Sequence, residues 1–397
     1  MEFLTIQLDG DLDPQLVPEL EKQSVYVCRG LRQFRVSPDR NQVLVSFEDE
    51  DKDEVRARVT RFIDAMRRGF RPVEMKVIAR NERRNQRPYE TDVFRKLVGK
   101  RWVLELGQGQ FALAGPALAL LNALDRSVAK IGRERFKGVE RAYPMLIPAE
   151  VLARCGYTSS FPQHLSIVTH LHEDFDAIEE FRRSNMDGRE LRVPTPSAFG
   201  PPKVCLCPAL CYHSYPTLEK QTLGAEGHVE TAIGRIARYE SSGMVGLARL
   251  WDFTQRSIIW VGDDEFCSIR RQWSIDAALA LAAAWDIDCT IETASDPFFA
   301  SVSTAKSFWQ QAQDLKFELR ANIEPDAECK PQTLAAASFN LHGTFFGHAF
   351  DIAEHTGKPA FSGCASWGLE RLVFVIFTQH GLDPEHWPPA LRAAVSS

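Results

Sequence analysis

The sequence predicts an α+β protein, with a small N-terminal α/β module ahead of one large domain. Three observations carry this. Residues 1 to about 80 alternate short strand patterns with a single amphipathic helix. Beyond residue 90, strand-like runs are separated by long connections, the pattern of a mixed domain and not of a regular βαβ repeat. An apolar helical run, Gly368–Thr378, lies near the C-terminal end. A chain of 397 residues has room for one large and one small domain.

In the module, strand patterns fall at Phe3–Leu8, Ser24–Cys28 and Val43–Phe47, the last after the turn signal Pro38-Asp39-Arg40-Asn41. A helix is expected from Asp53 to Arg68, with Val55, Val59, Phe62, Ile63 and Met66 on one face. Val73–Ile78 reads as a further strand. The polar, basic stretch Asn81–Arg87, followed by Pro88, reads as a linker, so the module with its linker spans 1–85 and the large domain 90–397.

In the large domain, Gly115-Pro116 opens a helix from Ala117 to Ile131 whose stripe is Leu120, Leu121, Leu124 and Val128. Tyr143–Pro148 is a short strand closed by proline. Further strands are expected at Ile233–Tyr239, Leu247–Phe253, Ser257–Val261, Cys289–Glu292, Leu315–Leu319 and Ala335–Leu341, with a helix at Asp263–Ala283.

Composition narrows the function. No apolar run approaches the roughly 20 residues of a membrane span. The alternating, early-acidic N-terminus reads as a strand and not as a signal peptide. Nine cysteines, an odd number in a long chain, point to cytoplasmic thiols and not to a disulfide framework. The close trio Cys205, Cys207 and Cys211 raises metal binding. The net charge of −6 conceals a basic segment: residues 56–101 hold 15 Lys and Arg against 5 Asp and Glu. Such a segment suits a solvated helix face, or an acidic partner such as RNA or an acidic protein.

Neither Gly-x-Gly-x-x-Gly nor Gly-x-x-x-x-Gly-Lys-Ser/Thr occurs, so any nucleotide must be held by other means. Arginine is suited to a bidentate grip on phosphate. Arg238 and Glu240 lie two residues apart at the end of an apparent strand, one able to hold phosphate and the other to accept from an adenine amino group. Arg371 lies at the start of the C-terminal apolar helix. Singly, each pattern is an ordinary surface ion pair.

Together, and in this order, they resemble the class II aminoacyl-tRNA synthetase fold over roughly residues 100–390. Ala117–Ile131 with the strand ending at Pro148 looks like motif 1, Arg238-Tyr239-Glu240 like motif 2, and Gly368-Leu369-Glu370-Arg371 like motif 3. Several stretches look like one subgroup. They are Cys211-Tyr212-His213, Arg249-x-x-x-Phe253-x-x-Arg256, Ser295-Asp296-Pro297-Phe298-Phe299, Lys316-Phe317-Glu318-Leu319, Ser338-Phe339-Asn340-x-His342 and Cys364. That subgroup is the amino acid:[carrier protein] ligases, relatives of the methanogen-type seryl-tRNA synthetases.

The resemblance implies an antiparallel sheet flanked by helices and a homodimer built on motif 1. It also implies adenylation of a small amino acid and transfer of the aminoacyl group to the phosphopantetheine thiol of an acidic carrier protein. Arg238, Glu240, Arg249 and Arg371 would contact ATP, Glu318 would bind Mg²⁺, and Asn340 would sit near the amino acid. In-line attack on the α-phosphate needs alignment and charge neutralisation more than acid–base help. Two alternatives remain open: a divergent seryl-type synthetase charging tRNA, which the N-terminal module favours, and a non-catalytic synthetase-like binding protein.

The subgroup holds the substrate amino group through Zn²⁺ on two cysteines and a glutamate. Cys211 and Cys364 match the cysteines, but Ser257 stands in the glutamate position. A catalytic zinc keeps three protein ligands and an open position. Three readings follow: the zinc is absent; Cys207, His213 or Asp252 substitutes; or adenylation is lost.

Overall fold

The computed structural model describes residues 1–396 apart from 187, 194, 195, 242, 243, 297 and 326–331. Pro297, in the stretch Ser295–Phe299, lies outside the described residues. Strands are numbered in chain order: β1 Glu2–Gln7, β2 Leu31–Val36, β3 Gln42–Phe47, β4 Val77–Asn81, β5 Val103–Gly107, β6 Gln110–Leu113, β7 Val139–Ala142 and β8 Leu146–Pro148. They continue with β9 Ile167–Val168, β10 Val204–Leu206, β11 His228–Ala237, β12 Asp252–Gly262, β13 Cys289–Thr293, β14 Lys316–Ile323, β15 Gln332–Gly343 and β16 Phe361–Gly368.

The N-terminal part is an antiparallel sheet, β1-β3-β2, covered by the helix Lys52–Gly69. Asp51 caps that helix by accepting from the Asp53 and Glu54 amides. Its Val55, Val59, Ile63 and Met66 are buried with Leu4, Ile6, Val43 and Val45 in a cluster of their own. The expected strand at Ser24–Cys28 does not form. Pro18, in the first turn, starts a helix at Val17–Gln23, and Ser24–Tyr26 continues it as a 3₁₀ turn. The strand is instead β2, with Phe34 buried.

The strand expected at Val73–Ile78 is displaced to β4, and it belongs to the large sheet. It pairs antiparallel with β13, Asn81 opposite Cys289. Asn81 Nδ2 donates to the Ile287 carbonyl at 2.6 Å and the Lys76 amide to Thr293 Oγ1 at 2.9 Å. These two bonds hold the register at both ends.

The large sheet runs β4-β13-β14-β15-β16-β12-β11-β7 and is antiparallel except for the last pair. Leu247–Phe253 and Ser257–Val261 were expected as separate strands, but β12 runs on from Asp252 because Thr254 pairs with β11 and residues 255–256 pair on both sides, with β11 and β16. The helices Gly115–Glu134, Asp264–Ala284 and Leu369–His380 cover one face. On that face Arg256, 2% exposed, reaches Asp125 at 2.6 and 3.0 Å, and Trp260 stacks on Phe136 with ring centroids 6.3 Å apart. The opposite face carries the cleft. No described helix is long and apolar enough to cross a membrane.

Candidate active site

Side chains alternate across a strand, so register decides what the open face presents. Ser257, Ser366, Ser338 and Glu318 stand opposite one another across β12, β16, β15 and β14. Two residues along, the row is Ile259, Cys364, Asn340 and Lys316. Ser366, Ser338, Glu318, Cys364, Asn340 and Lys316 of these rows form the cleft floor with Gln255, while Ser257 and Ile259 are fully buried beneath it. Gln255 Oε1 accepts from the Leu210 amide at 2.9 Å and so holds the start of the helix Cys211–Thr217 over the sheet.

At one end the arginines meet. Arg238 follows β11 by one residue and does not lie within it. Its Nε donates to the Pro208 carbonyl at 2.9 Å. Arg371 comes from the first turn of the helix Leu369–His380, the last long helix of the chain, and its Nη1 donates to the Ala335 carbonyl at 3.1 Å. The guanidinium carbons of Arg238 and Arg371 lie 5.9 and 5.8 Å from the same ring, Phe253. Glu240 bridges Arg249 at 4.0 Å and Arg371 at 3.8 Å. Arg371 Nε is buried without a partner. Burial works against the Arg371 charge and lowers its pKa, with Glu240 opposing. A buried arginine with an unused donor, facing a cleft, is a fit for an anion.

Next to it, Lys316 Nζ lies 2.6 Å from Asp296 and 3.0 Å from Glu318. Burial pulls the Lys316 pKa down, but the two carboxylates outweigh it and raise the pKa above its ordinary value. Burial pushes Asp296 and Glu318 up, and the cations more than offset it, leaving both below the usual carboxylate range. Arg320 meets the second Glu318 oxygen at 3.2 Å. Both Glu318 oxygens therefore already face cations. As arranged, Glu318 does not fit a magnesium ligand.

At the other end, the structure brings Cys211 and Cys364 together. A hydrogen bond to Cys364 and burial hold the Cys211 thiol protonated, well above its usual range. Asn340 Nδ2 lies 3.5 Å from Cys364 Sγ and 3.2 Å from Ser338 Oγ. His342 Nε2 is 3.8 Å from Cys364 Sγ, while its Nδ1 faces Tyr215 Oη and Ser362 Oγ, each at 3.2 Å. Ser257 is fully buried and bonds to Ser366 Oγ at 2.7 Å.

None of the named substitutes lines the cleft, although His213 Nε2 is buried without a hydrogen-bond partner. Cys207 Sγ donates to the Ala209 carbonyl, His213 stacks on Tyr143, and Asp252 pairs with Arg235. Among the described residues, no group of three or more His, Cys, Asp or Glu side chains is arranged to hold a metal ion. The two cysteines and Ser257 do not fit a three-ligand zinc site, because a hydroxyl already engaged by its neighbour supplies no anionic ligand.

Sequence reasoning gave no role to Lys316, His342 or Phe253, although all three lie in the stretches it singled out. The alternation Lys316-x-Glu318 was the available signal, since it puts both on one face of β14. Tyr26 was missed as well. It approaches from the N-terminal part, its ring edge-on to His164 at 6.5 Å, and the Tyr239 carbonyl lies 3.0 Å from His164 Nδ1.

An antiparallel sheet with arginines converging from beyond β11 and from the last long helix defines the catalytic fold of class II aminoacyl-tRNA synthetases. No protein-family model matches the chain. It is 31% identical over 277 residues to amino acid–[acyl-carrier-protein] ligase 2 of Bradyrhizobium diazoefficiens, covering 68% of this chain and 79% of that protein. It is 26% identical over 310 residues to the type-2 serine–tRNA ligase of Methanocaldococcus jannaschii, covering 77% of this chain and 59% of that one. The chain thus spans less than two thirds of that longer relative. The solved structure of Methanopyrus kandleri seryl-tRNA synthetase with Aquifex aeolicus tRNASec matches with a TM-score of 0.72 at 21% identity, covering 99% of this chain and 77% of that one. The chain belongs to the family of amino acid–[acyl-carrier-protein] ligases.

Proposed function

We propose that this chain adenylates a small amino acid with ATP and passes the aminoacyl group to the phosphopantetheine thiol of an acidic carrier protein. The observation that carries it is the convergence of Arg238, Arg371 and Glu240 around Phe253, with Arg371 Nε buried and unpartnered.

In this reading ATP enters as its magnesium complex. Adenine packs on Phe253, and Glu240 accepts from its amino group. Arg238 holds the α-phosphate, where charge develops during attack, while Arg371 and Arg249 hold the outer phosphates. The amino acid carboxylate attacks the α-phosphorus, the bond to the leaving oxygen breaks, and pyrophosphate departs. The carrier thiolate then attacks the acyl carbon and AMP leaves. The protein's part is positioning and charge neutralisation.

The acceptor is chosen from the family relationship at 31% identity, and the basic segment 56–101 suits an acidic docking partner. A second reading, charging of tRNA, is favoured by one observation. The match to the seryl-tRNA synthetase structure extends over the N-terminal part as well. The test is radiolabelled amino acid transfer. A product resistant to RNase and released by hydroxylamine supports the thioester; an RNase-sensitive product overturns it.

We also propose a homodimer through the helix Gly115–Glu134 and β7, the edge strand, where Leu118 and Val139 lie exposed. Light scattering should give twice the 44.8 kDa chain mass.

A further inference from the structure

The amino-acid end of the cleft keeps two cysteines but not the third ligand a zinc would need. Position 257 decides this. Its side chain is fully buried and bonds to Ser366, and the row Ser257, Ser366, Ser338 continues to Glu318, whose charge is spent on Lys316 and Arg320. His342 Nε2 lies 3.8 Å from Cys364 Sγ and its far nitrogen faces Tyr215 and Ser362, but among the described residues no three His, Cys, Asp or Glu side chains, Cys211, Cys364 and His342 included, are arranged to hold a metal ion.

Asn340 supplies a different grip. Its amide nitrogen lies toward Ser338 Oγ and the Cys364 carbonyl and sulfur. That leaves its carbonyl oxygen for the cleft, which Asn340 lines. The orientation is set by those acceptors, which take the amide N–H groups. An amide oxygen beside a neutral hydroxyl row accepts from an N–H and has no use for an amine lone pair, whereas a metal takes its ligand deprotonated.

We infer that this site holds the amino group of its substrate as an ammonium ion on Asn340, without zinc, and that Ser257 is the residue that determines this. The inference rests on the adenylation reading and names how that same site recognises its substrate.

The test combines metal content with kinetics. The full chain is purified after growth with added zinc and analysed by mass spectrometry for metals, alongside Ser257→Glu. Pyrophosphate exchange is then measured for wild type and Asn340→Ala. Wild type should carry less than about 0.1 zinc per chain, and Ser257→Glu about one. Asn340→Ala should raise KM for the amino acid at least about tenfold, the worth of one hydrogen bond to a charged group, with KM for ATP held within about twofold.

One zinc per wild-type chain overturns the inference while leaving adenylation standing. An unchanged amino-acid KM in Asn340→Ala overturns the role of Asn340. A folded Ser257→Glu chain that takes up no zinc overturns the assignment of Ser257. If Ser257→Glu does not fold, the wild-type metal content and Asn340→Ala still decide. No exchange with any amino acid overturns the adenylation reading and this one with it.

Discussion

Arg371 Nη2 lies 3.8 Å from Glu240 Oε1, joining the start of the last long helix to the segment after β11. The Arg371 guanidinium also lies 5.8 Å from the Phe253 ring. Arg371→Ala should lower pyrophosphate exchange by about two to three orders of magnitude, the usual loss for one preorganised charge. Burial disfavours the Arg371 charge while Glu240 opposes that, so the melting temperature should fall by only a few degrees. Exchange kinetics with calorimetry on the same sample check both halves, and full retained activity would show that Arg371 is not at the nucleotide.

Lys316 is buried between two half-buried carboxylates. Replacing it with Met leaves Asp296 without its close cation and Glu318 with Arg320 alone. Removing one partner of a buried ion pair costs about 3–5 kcal/mol, so Lys316→Met should lose about that much in urea unfolding. The double variant Lys316→Met, Asp296→Asn should recover part of it, since the charge left behind is smaller. Equal stability for the two variants would mean that Lys316 is not the neutralising group.

Glu370 gives a pH signature of opposite sign to the usual carboxylate. Burial raises its pKa, with Arg235 and the Thr254 amide acting against the rise. A folded-state value above the unfolded one makes its contribution complete below the unfolded value of about 4.3 and lost as pH rises through the folded value. Glu370→Gln keeps an acceptor for the Thr254 amide. It should match wild type near pH 4 and be the more stable chain at pH 8 in thermal melts. A gap that widens toward acid would contradict the sign.

Tyr26 reaches the nucleotide end through His164, which meets the Tyr239 carbonyl. Burial, then Glu240, pushes its hydroxyl up to about 12, so it stays a neutral phenol throughout the working range. Tyr26→Ala should raise KM for ATP about three- to tenfold by loosening the Tyr239–Glu240 segment. Tyr26→Phe should behave as wild type, because the contact is made by the ring. Identical KM values for Tyr26→Ala and wild type would confine Tyr26 to packing.

The long elements were legible because their signals are local. Leu120, Leu124 and Val128 sit on one helical face and are fully buried. The arginines were legible by order along the chain. Three things were not. Pro18 turned an apparent strand at Ser24–Cys28 into helical turns, a preference of the preceding residues and not of the run itself. The partner of β4 lies more than 200 residues away, at β13, where no local pattern points. The Lys316–Asp296 pair needs β14 and the segment after β13 to be adjacent, and only the folded sheet supplies that.

The pairing of β4 with β13 settles where the polypeptide can be severed. Two separate apolar clusters, Leu4–Met66 and Val93–Leu391, invite a cut in the basic stretch near residue 85. Such a cut would peel away the outermost strand, leave a row of amide and carbonyl groups on β13 open to water, and invite edge-to-edge association. A shortened protein that stays dispersed would have to begin before Lys76, whose amide and ammonium reach Thr293 and Asp314. The seam between the two cores and the seam of the sheet are different places.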